Sequence, residues 1–186
     1  TKPDGACLAF IIHTVARTSE ARLVTWSDID LDDKIWTIEP GSVRGEDKRK
    51  SKRLWKIHLT SAAIKILKEQ PSFLQREGLV FRTLNNREIP DSYFGGNINA
   101  ALGFEGVAHG FRTTFKTWCQ EYGINEEISE LALKHTDSDA TRAAYARNQL
   151  FDARKKVLTA YSRFATTGEL PQNYSVIPIR KRRQAS

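Results

Sequence analysis

Apolar residues open the chain as a nearly continuous run, Cys7-Leu8-Ala9-Phe10-Ile11-Ile12, inside a window, 5–16, that predicts a buried helix. Residues 18–26 predict a second short helical stretch, with Leu23 and Trp26 three apart on one face. The period then drops to two. Ile29 and Leu31 alternate with aspartates, and Asp32-Asp33 marks a turn. Ile35, Trp36, Thr37 and Ile38 read as a second strand, closed by Pro40-Gly41. After a loop, Leu54 to Leu59 reads as a third, so residues 28–59 predict a small antiparallel sheet.

Helical patterning then resumes. Thr60 is a suitable N-cap for a helix through about Gln70, where Pro71 interrupts and Gly78 ends the region. A short apolar run, Leu79-Val80-Phe81, precedes a polar loop, and residues 91–102 predict a further helix. His109 to Tyr122 predicts a strong helix stopped by Gly123. Asn125 caps the next, with Glu126 and Glu127 in its favourable first turn and an end near Lys134. Asp139 is the expected cap of a long helix over 140–165. After Gly168 the chain reads as an extended tail carrying Pro171, Pro178 and the cluster Arg180-Lys181-Arg182-Arg183. No internal repeat is evident. The sum is a mainly helical α+β domain with a three-stranded antiparallel sheet at one edge.

Composition narrows the picture. A chain of 186 residues fits one domain with a short tail. The formal charge of +7 favours a polyanionic partner, although charge alone does not prove one. Cys7 and Cys119 form neither a disulfide framework nor a zinc spacing and read as free thiols in a reducing compartment. No apolar run reaches the roughly 18 residues a membrane span needs. The chain opens with Thr and contains no Met. The expectation is a piece of a longer protein, or methionines lost from the record.

Several side chains have the chemistry to break a phosphodiester. Negative charge develops on the non-bridging oxygens, where preorganised cations lower the barrier. Arginine suits this because its planar fork donates to two oxygens and stays protonated. Arg17 and Arg112 are the candidate clamps; taken singly, Arg17 also reads as a helix C-cap and Arg112 as a surface residue. His109 lies three before Arg112, on the same helical face. The leaving 5′ oxygen needs a proton, which a lysine on a β-hairpin can supply. The stretch from Arg44 to Lys56 holds Arg44, Lys48, Arg49, Lys50, Lys52, Arg53 and Lys56, which equally suit a solvated loop gripping DNA phosphates without specificity. A tyrosine, with an ordinary pKa near 10, needs a base or a strong positive field to attack phosphorus.

The order Arg17, Lys50, His109-Gly110-Phe111-Arg112, His135, Tyr145 resembles the catalytic domain of tyrosine recombinases of the phage and genomic-island integrase type. The resemblance covers roughly residues 5–166. It extends to Glu20, to the segment Arg22–Leu31, to His109–Thr114, and to Ala143-Ala144-Tyr145-Ala146-Arg147. It implies that His109 and Arg112 face the scissile phosphate, that Glu20 supports Arg17, and that Tyr145 rather than Tyr93, Tyr122, Tyr161 or Tyr174 is the nucleophile. Lys50 is selected because the family's lysine precedes an apolar strand ending in Pro-Leu-Ser. Here that ending reads His58-Leu59-Thr60, and Lys48 and Lys52 remain alternatives. Val15-Ala16 stands where many members have Gly before the first arginine. Which histidine assists the nucleophile stays open.

The resemblance further implies a catalytic domain over 1–168, a basic tail over 169–186, and N-terminal DNA-binding domains absent from this stretch. The implied activity is site-specific recombination, integrating or excising a mobile element through a covalent 3′-phosphotyrosine. No cofactor, metal or ATP is implied. The implied partners are double-stranded DNA at attachment sites, a homotetramer on DNA, and accessory DNA-bending or directionality proteins. The setting is the bacterial cytoplasm and nucleoid. Two other readings stand beside it: a type IB topoisomerase-like enzyme, and a non-catalytic DNA-binding module. A basic structural protein would leave the ordered Arg, His-x-x-Arg, His and Tyr unexplained.

Overall fold

The computed structural model describes residues 3–39, 54–94, 107–135 and 150–169. The order of elements is helix α1 (Pro3–Thr14), helix α2 (Thr18–Arg22), strands β1 (Ile29–Asp30), β2 (Ile35–Ile38) and β3 (Trp55–His58), then helices α3 (Ser61–Lys68), α4 (Gly110–Glu121), α5 (Glu126–Ala132) and α6 (Phe151–Thr167). Short 3₁₀ turns cover Trp26–Asp28, Pro71–Phe73 and Asp91–Phe94. The protein is thus mainly helical, with one antiparallel sheet in the order β1-β2-β3.

Helix α1 is the core of the fold. Pro3 and Asp4 suit its first turn, and its apolar run buries Ala6, Cys7, Leu8, Phe10 and Ile11. It packs against α2, α3, α4 and α6. Phe10 meets Trp36 of β2 and Phe81, each with ring centroids 5.3 Å apart. The Leu79-Val80-Phe81 run forms no regular strand. Instead Leu79 bridges Thr25, and Val80 and Phe81 are buried in the core, Phe81 against Phe10 of α1.

The sheet is narrow because turns claim its ends. Asp30 Oδ1 accepts from the backbone N–H groups of Asp32 and Asp33, so β1 stops at Asp30 and Leu31 lies in the turn. Trp36 pairs with Ile29 on one side and Ile57 on the other. Arg154 of α6 locks β3 in place: it donates to the carbonyl of Lys56 at 3.1 Å and lies over Trp55 at 4.6 Å.

Two boundaries differ from the sequence expectation. Residues 18–26 are not one helix: α2 ends at Arg22, and Trp26 enters a separate 3₁₀ turn that Asp28 closes by accepting from the Thr25 N–H at 2.9 Å. Nor is 140–165 one uninterrupted helix. Leu150 has φ −100° and ψ 4°, outside the helical region, and α6 begins at Phe151 and continues to Thr167. The expected helix over 91–102 begins as a 3₁₀ turn at Asp91–Phe94, and its remainder, 95–102, lies outside the described residues. The expected tail over 170–186 lies outside them as well.

Three signals act as read from the sequence. Thr60 Oγ1 accepts from the Ala63 N–H at 3.3 Å and starts α3. Asn125 Oδ1 accepts from the Glu127 N–H at 2.8 Å and starts α5. Gly123, at φ +65°, ends α4, with the Ile124 N–H returning to the Cys119 carbonyl at 2.8 Å. Among the described residues, no helix is long and apolar enough to cross a membrane.

Candidate active site

The candidate site forms where the ends of α1 and α5 meet α2 and α4. Arg17 lies at the N-cap of α2, one turn before Glu20. The buried Glu20 carboxylate accepts from the Arg17 backbone N–H at 2.9 Å and from Arg17 Nη1 at 3.2 Å. Lys134 Nζ reaches the same carboxylate from the far end of α5 at 3.1 Å. Arg17 Nη2 in turn donates to the Lys134 carbonyl at 3.4 Å. Two segments more than a hundred residues apart are thus joined through one carboxylate.

That carboxylate is 2% exposed. Burial works to raise its pKa, but Lys134 and the N–H and charge of Arg17 outweigh burial and hold it below the ordinary value. Glu20 is therefore an anion that fixes two cations, and its burial makes it costly to leave unpaired.

Arg112 enters from α4 and is 4% exposed. Its Nη1 donates to the Val15 carbonyl, and its Nη2 donates to the Leu133 carbonyl at 2.5 Å. The same Nη2 stands 3.4 Å from His135 Nε2. Its Nε is buried with no hydrogen-bond partner among the described residues. Burial, followed by repulsion from Arg17, draws the Arg112 pKa down to about 10, while Glu20 and Glu130 pull the other way. It remains a cation at neutral pH.

Both carbonyls come from unusual turns. Val15 has φ +49° and Lys134, directly after Leu133, has φ +56°; neither is a glycine. At the end of α5 the Lys134 N–H returns to the Leu131 carbonyl and the His135 N–H to the Glu130 carbonyl, the two bonds of a Schellman motif. The left-handed position of that motif normally takes glycine, since an L side chain there costs about 1–2 kcal/mol. The turn is what brings the Leu133 carbonyl to Arg112 and the His135 ring back beside it.

His135 Nδ1 lies 2.8 Å from Glu130 Oε2. Glu130 also pairs with Lys116 of α4, which reaches Glu126 at 3.2 Å. The Lys116 contact, more than the opposing burial, lowers the Glu130 pKa, and His135 adds to the effect. His109 stands exposed at the N-cap of α4, one turn before Arg112.

Arg17, Glu20, Arg112 and His135 therefore converge, and His109 opens the helix that carries Arg112. Lys50 and Tyr145 lie outside the described residues, as do Arg44, Lys48, Arg49, Lys52 and Arg53. Tyr161 and Tyr122 are packing residues: Tyr161 meets Phe115 at 5.0 Å and Trp118 at 5.3 Å, and Tyr122 meets Trp118 at 5.3 Å. His58 is buried in β3, and burial, Lys155 and Lys34 lower its pKa. Sequence reasoning did not find Lys134, Glu130 or Lys116. Lys134 and Glu130 are close to His135 in the chain, but only the Schellman turn shows that they reach the site.

The mainly helical fold with its small three-stranded antiparallel sheet is that of a tyrosine recombinase domain. The chain belongs to the phage integrase family, whose profile matches residues 2–150. It is 25% identical over 155 residues to the integrase of Shigella phage Sf6, an alignment covering 78% of this chain and 37% of that protein. It is 24% identical over 155 residues to the prophage integrase IntS of Escherichia coli K12, with the same coverage of 78% and 37%. The chain thus spans well under half the length of these relatives. In fold it is similar to an integrase from mycobacterium phage Brujita, with a TM-score of 0.64 at 18% identity, covering 86% of this chain and 51% of that one. A second similar structure is the XerH site-specific recombinase bound to palindromic difH substrate in a post-cleavage complex. There the TM-score is 0.51 at 17% identity, over 81% of this chain and 44% of that one.

Proposed function

We propose that this chain is the catalytic domain of a site-specific DNA recombinase that integrates or excises a mobile element. The observation that carries the proposal is that Arg17, held by the buried Glu20 carboxylate and the Lys134 carbonyl, meets Arg112 and His135 at the turn after α5. Two fixed cations and an imidazole beside them suit a phosphodiester whose non-bridging oxygens gain charge as phosphorus is attacked.

In the proposed reaction the Tyr145 oxygen attacks phosphorus as its proton passes to a base in the site. The P–O bond to the 5′ oxygen breaks, and that oxygen takes a proton from a lysine, of which Lys50 is the first candidate. The product is a 3′-phosphotyrosine and a free 5′-hydroxyl. Attack by another 5′-hydroxyl reverses the step and reseals the strand. The ester conserves the bond energy, so neither ATP nor a metal is consumed. Arg44, Lys48, Arg49, Lys52 and Arg53 are assigned to grip the DNA backbone.

The similarity to the XerH site-specific recombinase bound to palindromic difH substrate in a post-cleavage complex supports DNA as the partner. We assign the catalytic part to residues 1–168 and the basic tail to 169–186, with further DNA-binding domains in a longer protein. That protein would act as a tetramer on paired attachment sites in the bacterial cytoplasm, with accessory bending or directionality proteins.

Covalent trapping tests the proposal. Nicked duplexes carrying candidate core sites are incubated with the protein and with Tyr145→Phe, then resolved under denaturing conditions. An adduct that disappears in Tyr145→Phe establishes the chemistry and its nucleophile. Survival of the adduct moves the nucleophile to another tyrosine. Binding without an adduct sinks the catalytic reading in favour of a DNA-binding module.

A further inference from the structure

We infer that Lys134 is a positioning residue for the proposed cleavage reaction, holding Arg17 in place through the Glu20 carboxylate and through its own backbone carbonyl. The inference rests on the recombinase reading above. It stands on geometry in which one residue does two things. Its ammonium meets Glu20 Oε1 at 3.1 Å, and its carbonyl accepts from Arg17 Nη2 at 3.4 Å. The Arg17 guanidinium is therefore held at one nitrogen by the carboxylate and at the other by the turn that carries the lysine.

The backbone makes the choice of lysine informative. Lys134 occupies the left-handed position of the Schellman turn, where glycine is favoured. Stability of the turn alone would select glycine. A lysine there gives up backbone ease for an ammonium placed on a buried carboxylate, with the Lys134 side chain itself only 13% exposed. The same turn also carries the Leu133 carbonyl and His135, so the ion pair ties α2 to the segment that orients Arg112.

The test compares the wild-type chain with Lys134→Gly, a variant whose backbone the turn welcomes, so loss of folding is not the expected effect. Single-turnover adduct formation on a nicked duplex is measured across DNA concentrations, beside a thermal melt. The expected result is cleavage slower by roughly 10- to 100-fold at saturating DNA, since small displacements of a reacting geometry have effects of that size. The DNA concentration for half-saturation should stay the same; the melting temperature balances the lost ion pair against the relaxed turn, and rates are compared below the melting transition of both chains. Cleavage at the wild-type rate overturns the inference. A wild-type chain that forms no adduct removes the phosphotyrosine reading instead, and the positioning claim is then decided by ¹⁵N NMR of the arginine side chains. Slow guanidinium proton exchange at Arg17 that becomes fast in Lys134→Gly supports it; an Arg17 signal indifferent to the substitution overturns it.

Discussion

Arg112 Nη2 and His135 Nε2 lie 3.4 Å apart, although 23 residues separate them in the chain. The other ring nitrogen of His135 faces Glu130 Oε2 at 2.8 Å. A carboxylate can only accept, so Nδ1 carries the proton, and a guanidinium can only donate, so Nε2 presents its lone pair. The contacts thus select one neutral tautomer. In that state Nε2 is a hydrogen-bond acceptor beside Arg112.

Arg112 joins stability to chemistry. Arg112→Ala leaves the Val15 and Leu133 carbonyls without their donor, at about 1–3 kcal/mol for each buried group left unsatisfied. A lowered melting temperature is the expected result. Arg112→Lys keeps a charge but not the fork, and adduct formation should fall by about 10²-fold or more. Cleavage at near wild-type rate in Arg112→Lys would remove Arg112 from the phosphate clamp.

Glu20 makes stability depend on pH. Its folded pKa is lowered, so its ionic contacts contribute stability above the unfolded value of 4.5 and lose it as pH falls through the folded value. Glu20→Gln should therefore melt below the wild type at pH 7, and the gap should narrow below pH 4.5. Melts over that range check the sign; a gap that widens in acid contradicts it.

Tyr161 tests the separation of packing from chemistry. Its ring is buried against Phe115 and Trp118, and burial raises its pKa to about 12. Tyr161→Ala should cost about 3–5 kcal/mol, in the range of large aromatic truncations. Tyr161→Phe should retain both the fold and the covalent adduct. Loss of the adduct in Tyr161→Phe would reassign the nucleophile.

Glu130 isolates the orientation of His135. Its side chain is 34% exposed, so Glu130→Gln should change stability little, within the ~0.2–1 kcal/mol of exposed ion pairs. The amide can turn an N–H toward Nδ1 and favour the wrong tautomer. Cleavage should slow by about 10-fold or more, part of the ~10²–10⁴ that a positioned proton-transfer group supplies. An unchanged rate would mean that His135 acts without this partner.

Much of the architecture was legible in local signals. Thr60, Asn125 and Gly123 set helix ends because their effects involve only neighbouring backbone groups. The alternation around Ile35–Ile38 and Trp55–His58 marked the sheet because strand faces follow from chain geometry alone. The break between Arg22 and Trp26 was not legible. It depends on the Thr25–Leu79 bridge and on Trp26 Nε1 donating to Ser72 Oγ at 3.0 Å, both long-range contacts. The start of α6 at Phe151 was likewise missed: the pattern continues upstream of it, while Leu150 leaves the helical region.

The sequence by itself determined the mainly helical class and the three strands through its patterning, and it offered Arg17, Glu20, Arg112 and His135 as candidates through its resemblance to tyrosine recombinases. Tertiary structure alone decided that these four meet. It added Lys134, Glu130 and Lys116, and it assigned the carbonyls of Val15 and Leu133 to Arg112. The reason is that a buried charge is satisfied by whatever the folded chain brings within about 3 Å, and two left-handed turns at Val15 and Lys134, at residues that rarely adopt them, decide which groups those are.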